Sequence, residues 1–97
     1  MSVAIRLEQD SLLVEGALER FELGNKEFYR FPQATGALTI NLEKVTNFDT
    51  AGLAWLLKVV SFYQKQGCQV KISNVPDQLI ALAEISNVLK LLPIESK

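Results

Sequence analysis

Asp49 and Thr50 are the residues of this chain whose types and position best suit chemistry, since a carboxylate and a hydroxyl adjoin at the start of a long apolar-periodic run. At a helix start the backbone N–H groups lack intrahelical partners, and the positive end of the helix dipole favours negative charge. Either side chain can therefore simply cap the helix. Alternatively, the Thr50 hydroxyl is a phosphoacceptor or a contact to a partner protein, with Gly52 keeping the approach open. Residue types alone leave both interpretations standing.

A catalytic pair of carboxylates, Asp49 with Glu19, is a third interpretation of the same region. Such a pair needs a pocket and a further group that drives the two pKa values apart. The sequence has no histidine, which is the commonest general base and metal ligand, and no Gly-rich phosphate loop or cluster of metal-ligating residues. We therefore expect a protein that is not an enzyme and that uses neither a metal nor a cofactor.

Composition predicts an ordinary globular chain that forms a single domain over residues 1–97, with 48% hydrophobic and 22% charged residues. Ten Lys and Arg against eleven Asp and Glu leave a net charge of -1, which offers no basic field for nucleic acid. The apolar stretch Leu53–Leu57 is too short to cross a bilayer, and the N-terminus does not resemble a signal peptide. Together with the single Cys68, an inert small apolar residue by expectation, these features predict a cytoplasmic protein without direct membrane insertion.

Periodicity and turn residues predict an α/β fold in the order β-β-α-β-α-β-α. The helix before the last strand forms a βαβ crossover, so the last two strands should be parallel in a mixed sheet of about four strands with helices packed on it. The predicted strands are Val3–Leu7, Leu12–Gly16, Ala37–Leu42 and Val70–Ser73. The predicted helices are an irregular one over Leu18–Phe31, one over Thr50–Gln66 with Gly67 as its C-cap, and one from Asn74 to Val88. A tail or short edge strand near Pro93 follows the last helix.

The predicted helix Thr50–Gln66 carries apolar residues on two sides. At about 100° per residue, the first stripe should pack on the sheet. The second lies roughly opposite, where a surface helix would carry charge, so either the segment Phe28–Phe31 or a neighbouring helix covers it, or part of it stays exposed as a binding patch anchored by Trp55. The first stripe consists of Leu53, Leu56, Leu57, Val60 and Tyr63, and the second of Trp55, Val59 and Phe62.

The string Asp49-Thr50-Ala51-Gly52-Leu53 resembles the signature loop of the STAS domain family, where Asp-Ser/Thr-x-Gly-Leu opens the second helix. The segment Leu13–Glu19 also resembles the family's apolar-x-Gly-x-Leu-Asp segment, with Glu19 where an acidic residue lies near the signature hydroxyl. The order of elements agrees too, so the resemblance covers nearly the whole chain. It implies a single STAS-like domain that is not an enzyme and binds a protein through its signature helix.

Within that family, Asp49–Ala54, Lys65–Gly67 and Asn74–Asp77 are similar to the small STAS subunits of ABC transporters that maintain lipid asymmetry of the Gram-negative outer membrane. The resemblance implies a cytoplasmic subunit peripheral to the inner membrane. It would bind the transporter's ATPase and, through it, the membrane permease subunits, and so support assembly and activity of phospholipid transport. The implied contact centres on Thr50 and includes Glu19, Asp49, Ala51, Gly52 and Trp55.

An anti-sigma factor antagonist is the alternative function that the same family implies. Such a protein binds an anti-sigma kinase and is switched off when the signature hydroxyl is phosphorylated. Antagonists more often have Ser-Ser where this chain has Thr50-Ala51, and this difference favours the transporter interpretation. In a switch, phosphorylation would add about two negative charges beside Asp49 and Glu19, and these would repel an interface that accepts a neutral hydroxyl.

Overall fold

The computed structural model describes residues 4–18 and 31–95. The helix predicted over Leu18–Phe31 therefore falls mainly outside the described residues. Elsewhere the predicted α/β class and order of elements are confirmed. The strands are β1 (Ala4–Glu8), β2 (Ser11–Leu18), β3 (Ala37–Phe48) and β4 (Gln69–Ser73); the helices are α1 (Thr50–Lys65) and α2 (Asp77–Ile85), followed by a short 3₁₀ helix, Leu89–Leu91.

The four strands form one mixed sheet in the order β1-β2-β3-β4. β1 and β2 are antiparallel and joined by a two-residue turn, where Gln9 takes the left-handed conformation with φ 52°. β3 is parallel to both of its neighbours, which confirms the predicted crossover between β3 and β4. β4 pairs only with Ala37–Asn41, whereas β2 follows β3 as far as Phe48. The second half of β3 therefore extends beyond β4.

One face of the sheet and one stripe of α1 form the core. Alternate residues of the strands turn inward, as the period of two predicts. Four of the five residues of the first predicted stripe are buried, and Leu57 is half-buried against the core. The buried apolar residues from the sheet are Leu12, Val14, Leu38, Ile40, Leu42, Phe48, Val70 and Ile72, and those from the first stripe are Leu53, Leu56, Val60 and Tyr63.

The second stripe of α1 is covered by the chain segment that begins at Phe31. Trp55 and Val59 are 0% exposed, and Phe62 is half-buried. The ring of Phe31 lies edge-to-face on Trp55 at 6.1 Å and on Phe62 at 5.2 Å between centroids. The prediction of an exposed patch anchored by Trp55 is therefore wrong, and the alternative in which the Phe31 segment covers the stripe is confirmed at Phe31.

Two hydrogen bonds hold this covering segment on α1 and the residues that follow it. The Tyr63 hydroxyl donates to the carbonyl oxygen of Pro32 at 2.6 Å. The Cys68 thiol donates to the carbonyl oxygen of Ala34 at 3.3 Å. Cys68 is buried, in agreement with its predicted role as a small apolar residue. The segment therefore packs on α1 through both aromatic contacts and directed polar contacts.

Both helices end in a left-handed residue that stops the helical hydrogen bonding. After α1, Gly67 has φ 86° and the Cys68 N–H donates to the Tyr63 carbonyl at 3.0 Å, which confirms the predicted C-cap. α2 ends earlier than predicted, at Ile85, because Asn87 takes φ 59° and the Val88 N–H donates to the Ala83 carbonyl. Ile85, the last residue of α2, is 83% exposed.

The chain after the 3₁₀ helix returns to the outer edge of β4. Ile94 forms a single parallel bridge with Ile72. The Ile72 N–H donates to the Pro93 carbonyl, and the Glu95 N–H donates to the Ile72 carbonyl, each at 2.9 Å. The predicted tail or edge strand is therefore a one-residue bridge that covers part of the exposed edge of the sheet.

Leu56→Ala should lower the free energy of unfolding by about 2 to 5 kcal/mol, because it opens a cavity under a helix that is packed on two sides. Leu91→Ala is the matched control, since it removes the same atoms from a side chain that is 63% exposed. We expect that control to stay within about 0.5 kcal/mol of the parent. Urea unfolding of the three proteins measures both values, and equal losses in the two variants would contradict the assignment of the α1 faces.

Stability at alkaline pH should depend on Tyr63. Burial raises the pKa of its hydroxyl to about 12, and the nearby Cys68 contributes in the same direction. Because the unfolded chain has the ordinary tyrosine pKa of about 10, the folded state favours the protonated phenol. The resulting stabilisation is complete below about pH 10 and is lost as the pH rises through about 12.

Tyr63→Phe tests this pH dependence. The variant should be about 1 kcal/mol less stable at neutral pH, because the Pro32 carbonyl loses its donor. Its stability should then fall less steeply than that of the parent between pH 10 and 12 in urea unfolding measured at fixed pH. The same slope in both proteins would show that other groups cause the alkaline loss.

Candidate functional site

Asp49 forms the junction between β3 and α1. Its backbone is extended, with φ -128° and ψ -171°, and its carboxylate accepts a hydrogen bond from the Gly52 N–H at 3.0 Å. Its carbonyl accepts from the Leu53 N–H at 3.0 Å. This is the geometry of a helix N-cap, in which an acceptor satisfies one of the N–H groups left without a partner in the first turn. The predicted capping role thus belongs to Asp49.

Thr50 is the first residue of α1, and its side chain is exposed. One and two turns later, Ala54 and Lys58 are exposed on the same side of the helix. We call the surface of Thr50, Ala54 and Lys58 the α1 strip. Ala51 is half-buried beside it, whereas Gly52 is buried and directs its N–H to the cap. The expectation that Gly52 is presented to a partner is therefore wrong, while the expectation that Thr50 is presented agrees with its exposure.

Trp55, another predicted site residue, lies outside the α1 strip. Trp55 is 0% exposed beneath Phe31, so it is not available as a surface anchor and contributes to the site by holding α1 in place. Glu19 lies outside the described residues. Its proximity to the Thr50 hydroxyl stays a prediction.

Gln78, in the first turn of α2, is part of the site and was not singled out by the sequence analysis. Its side-chain nitrogen Nε2 donates to the Phe48 carbonyl at 2.8 Å, and its Oε1 accepts from the Phe48 N–H at 3.2 Å. Phe48 immediately precedes Asp49, so this contact holds the backbone that leads into the cap. A contact between residues separated by 30 positions leaves no periodic or capping signal in the sequence.

A groove in the described structure lies away from Asp49 and Thr50. This groove of about 570 Å³ lies at the carboxyl end of β4, and neither residue lines it. Residues 4–18 and 31–95 contain no group of three His, Cys, Asp or Glu residues placed to hold a metal ion. None of the helices in these ranges has the length and apolarity to cross a bilayer. The groove is lined by Ser73, Asn74, Val75, Asp77, Ile80, Ile94 and Glu95.

Comparison with known proteins matches the chain to one family over almost its whole length. A family model described as the STAS domain matches residues 6–97. The chain is 33% identical over 79 residues to the intermembrane phospholipid transport system binding protein MlaB of Escherichia coli (strain K12). MlaB of Shigella flexneri gives the same identity over the same length. Each alignment covers 81% of this chain and 81% of the relative.

Asp49→Ala should lower the free energy of unfolding by about 1 kcal/mol, because the Gly52 N–H loses its acceptor. Asp49→Asn is the matched control: its side-chain oxygen can still accept the bond, so it should lose less than half as much. Urea unfolding of both variants at pH 7 compares them. Equal losses would show that the negative charge, and not the acceptor, supplies the stabilisation at this helix start.

Proposed function

The chain belongs to the STAS domain family, and on this premise we propose that it is the STAS subunit of an ABC transporter that moves phospholipid and maintains outer-membrane lipid asymmetry. The subunit acts by binding and not by catalysis. It docks on the cytoplasmic ATPase through the α1 strip, with Thr50 at the centre of the contact, and is held through that ATPase beside the permease subunits of the inner membrane. The similarity to MlaB over 81% of both chains is the observation that carries this proposal.

The exposure pattern of α1 supports a docking role for the strip. Thr50 and Ala54 have small side chains, so a partner can approach close to the helix backbone. The other two sides of α1 are packed on the sheet and under Phe31, which keeps the strip in one orientation before binding. A surface that is already ordered loses little conformational entropy on association.

The use of the Asp49 carboxylate supports binding over catalysis. The carboxylate caps α1, and the large groove of the described structure lies elsewhere. A general acid or base acts best in a site that excludes water and shifts its pKa. The hydroxyl of Thr50, in contrast, stands at the surface where a protein partner or a kinase can reach it. The identity of the partner therefore distinguishes the transporter from the anti-sigma factor antagonist.

Thr50→Glu should weaken binding of the ATPase by about 100-fold or more, because the contact would desolvate an unpaired charge at its centre. The variant should remain folded, since a negative charge in the first turn interacts favourably with the helix dipole. Urea unfolding checks this second expectation. Gln69→Glu is the matched control, as it adds the same charge to an exposed residue of β4.

The measurement is affinity purification of the three tagged proteins from detergent-solubilised cells of the source organism, with identification of the co-purifying chains. We expect the parent and Gln69→Glu to recover an ABC ATPase with its membrane subunits, and Thr50→Glu to lose them. Recovery of the ATPase by Thr50→Glu would show that docking uses another surface. Recovery of a soluble kinase-like protein in place of the transporter would establish the antagonist function.

A further inference from the structure

We propose that Gln78 is the positioning residue of the docking site: from α2, it holds the last residue of β3 and so sets the direction in which Asp49 and Thr50 face a partner. This inference rests on the proposed function, because it takes the α1 strip as the surface that docks. It adds a residue from a different element, which neither the signature loop nor the similarity to MlaB assigns.

The need for such a residue arises from the unequal lengths of β3 and β4. β4 pairs with β3 only over Ala37–Asn41, while β2 pairs with β3 along its other edge as far as Phe48. At Phe48, the edge of β3 that faces away from β2 therefore lies beyond the end of β4. In a strand, the N–H and C=O of one residue point to the same edge and need partners there.

The Gln78 amide supplies both partners. It places a donor and an acceptor side by side, as a peptide group of a neighbouring strand would, and binds the Phe48 carbonyl at 2.8 Å and the Phe48 N–H at 3.2 Å. The Phe48 N–H also lies 3.0 Å from Oδ1 of Asn47 and is shared between two acceptors. The bond from Nε2 to the carbonyl is the shorter of the two Gln78 contacts and the one that requires a donor on this side chain.

The contact between Gln78 and Phe48 lies close to Thr50 in the chain, because only Asp49 separates Phe48 from Thr50. The Phe48 side chain is buried in the core, so this residue is held by both its ring and its peptide groups. Asp49 follows directly with an extended backbone and caps α1. On the other side, Leu79 and Ala83 anchor α2 in the core next to Gln78. Gln78 thus links the position of α2 to the start of α1.

Because Gln78 is exposed, we expect its contribution to be larger for the geometry of the loop and the affinity for the partner than for the stability of the fold. The side chain lies at the surface, where water competes for the same hydrogen bonds and their net contribution to stability is small. A partner bound at the α1 strip would exclude that water and strengthen them. Loss of the amide should therefore change the geometry of the loop and the affinity for the partner more than the stability of the fold.

The test replaces the amide by a group whose donor depends on pH. The ionised side chain of Gln78→Glu can accept from the Phe48 N–H but cannot donate to the Phe48 carbonyl, so the contact is half lost at pH 7. Below about pH 4 the protonated acid regains the donor, since an ordinary glutamate has a pKa of about 4.3. Gln64→Glu, at an exposed position of α1, is the matched control.

The first readout is the ¹H–¹⁵N spectrum of the isolated protein, compared with the parent at each pH. We expect the amide signals of Phe48, Asp49 and Gly52 to shift in Gln78→Glu at pH 7 and to return toward the parent below about pH 4. Gln64→Glu should leave these signals unchanged at both pH values. Unchanged signals in Gln78→Glu at pH 7, or shifts that persist at low pH, would overturn the proposal.

The second readout is the affinity at pH 7 for the ATPase that co-purifies with the parent. Gln78→Glu should bind about tenfold more weakly, which corresponds to about 1.4 kcal/mol, while Gln64→Glu should bind as the parent does. Shifted amide signals with parental affinity would overturn the positioning role and leave the proposed function standing. Failure of the parent itself to bind an ATPase would contradict the proposed function, and the amide signals would still decide whether Gln78 holds the loop.

Gln78→Ala keeps the test decisive if Gln78→Glu does not fold. It removes both hydrogen bonds at every pH, so the same amide signals should shift at pH 7 and should not return at pH 4. Its affinity should also fall by about tenfold. Parental spectra for Gln78→Ala would overturn the proposal.

Discussion

Burial of α1 on two of its sides is the constraint on which the rest of the structure depends. One stripe packs on the sheet and the other lies under Phe31, so Leu56, Trp55 and Val59 are all fully buried. What remains exposed is a strip of small and charged side chains that begins at Thr50. The helix cannot rotate or slide without losing contacts on both sides, because interiors are close-packed. The packing of α1 therefore decides which residues a partner can meet.

The start of α1 is also fixed in position by contacts of its own. β3 runs past the end of β4 and delivers Phe48, with its ring in the core, to the point where the helix begins. Asp49 then satisfies the Gly52 N–H, and Gln78 satisfies both peptide groups of Phe48. Side chains thus supply the hydrogen-bond partners that are missing where the β-ladder ends and where the helical hydrogen bonds begin. Polar groups at such junctions have to be paired, and here the pairing also orients Thr50.

These features suit a protein whose function depends on contact with another protein. An exposed strip on a packed helix allows close approach, and we expect an added charge there to weaken the interaction. The same arrangement would suit either proposed function, a transporter subunit or a phosphorylation-controlled antagonist, since Thr50 is exposed at the start of a packed helix. The fold is therefore compatible with either role, and similarity to MlaB favours the first.

Local pattern was sufficient to predict the hairpin, the first half of β3, the bounds of α1 to within one residue and its C-cap at Gly67, and it narrowed the N-cap to Asp49 or Thr50. These depend on alternation, on the 3.6-residue period and on Asp49 and Gly67, which act within a few positions of themselves. The pattern also placed Trp55 on the side of α1 where a surface helix would carry charge, but it did not determine whether this residue is covered or exposed. Each of these features depends on residues that are close together in the chain, so the sequence alone determined them.

Tertiary structure decided the rest, because the residues that meet are far apart in the chain. Phe31 covers Trp55, and Gln78 binds Phe48 across 30 positions, so neither contact follows from a periodic pattern. β3 continues through Glu43 and Lys44 because β2 still pairs with it, which overrides the weak strand preference of these two residues. The exposure of Ile85 likewise depends on where α2 ends and on which side meets the core. The sequence thus determined the elements and the capped start of α1, whereas long-range packing determined which of its residues remain available for docking.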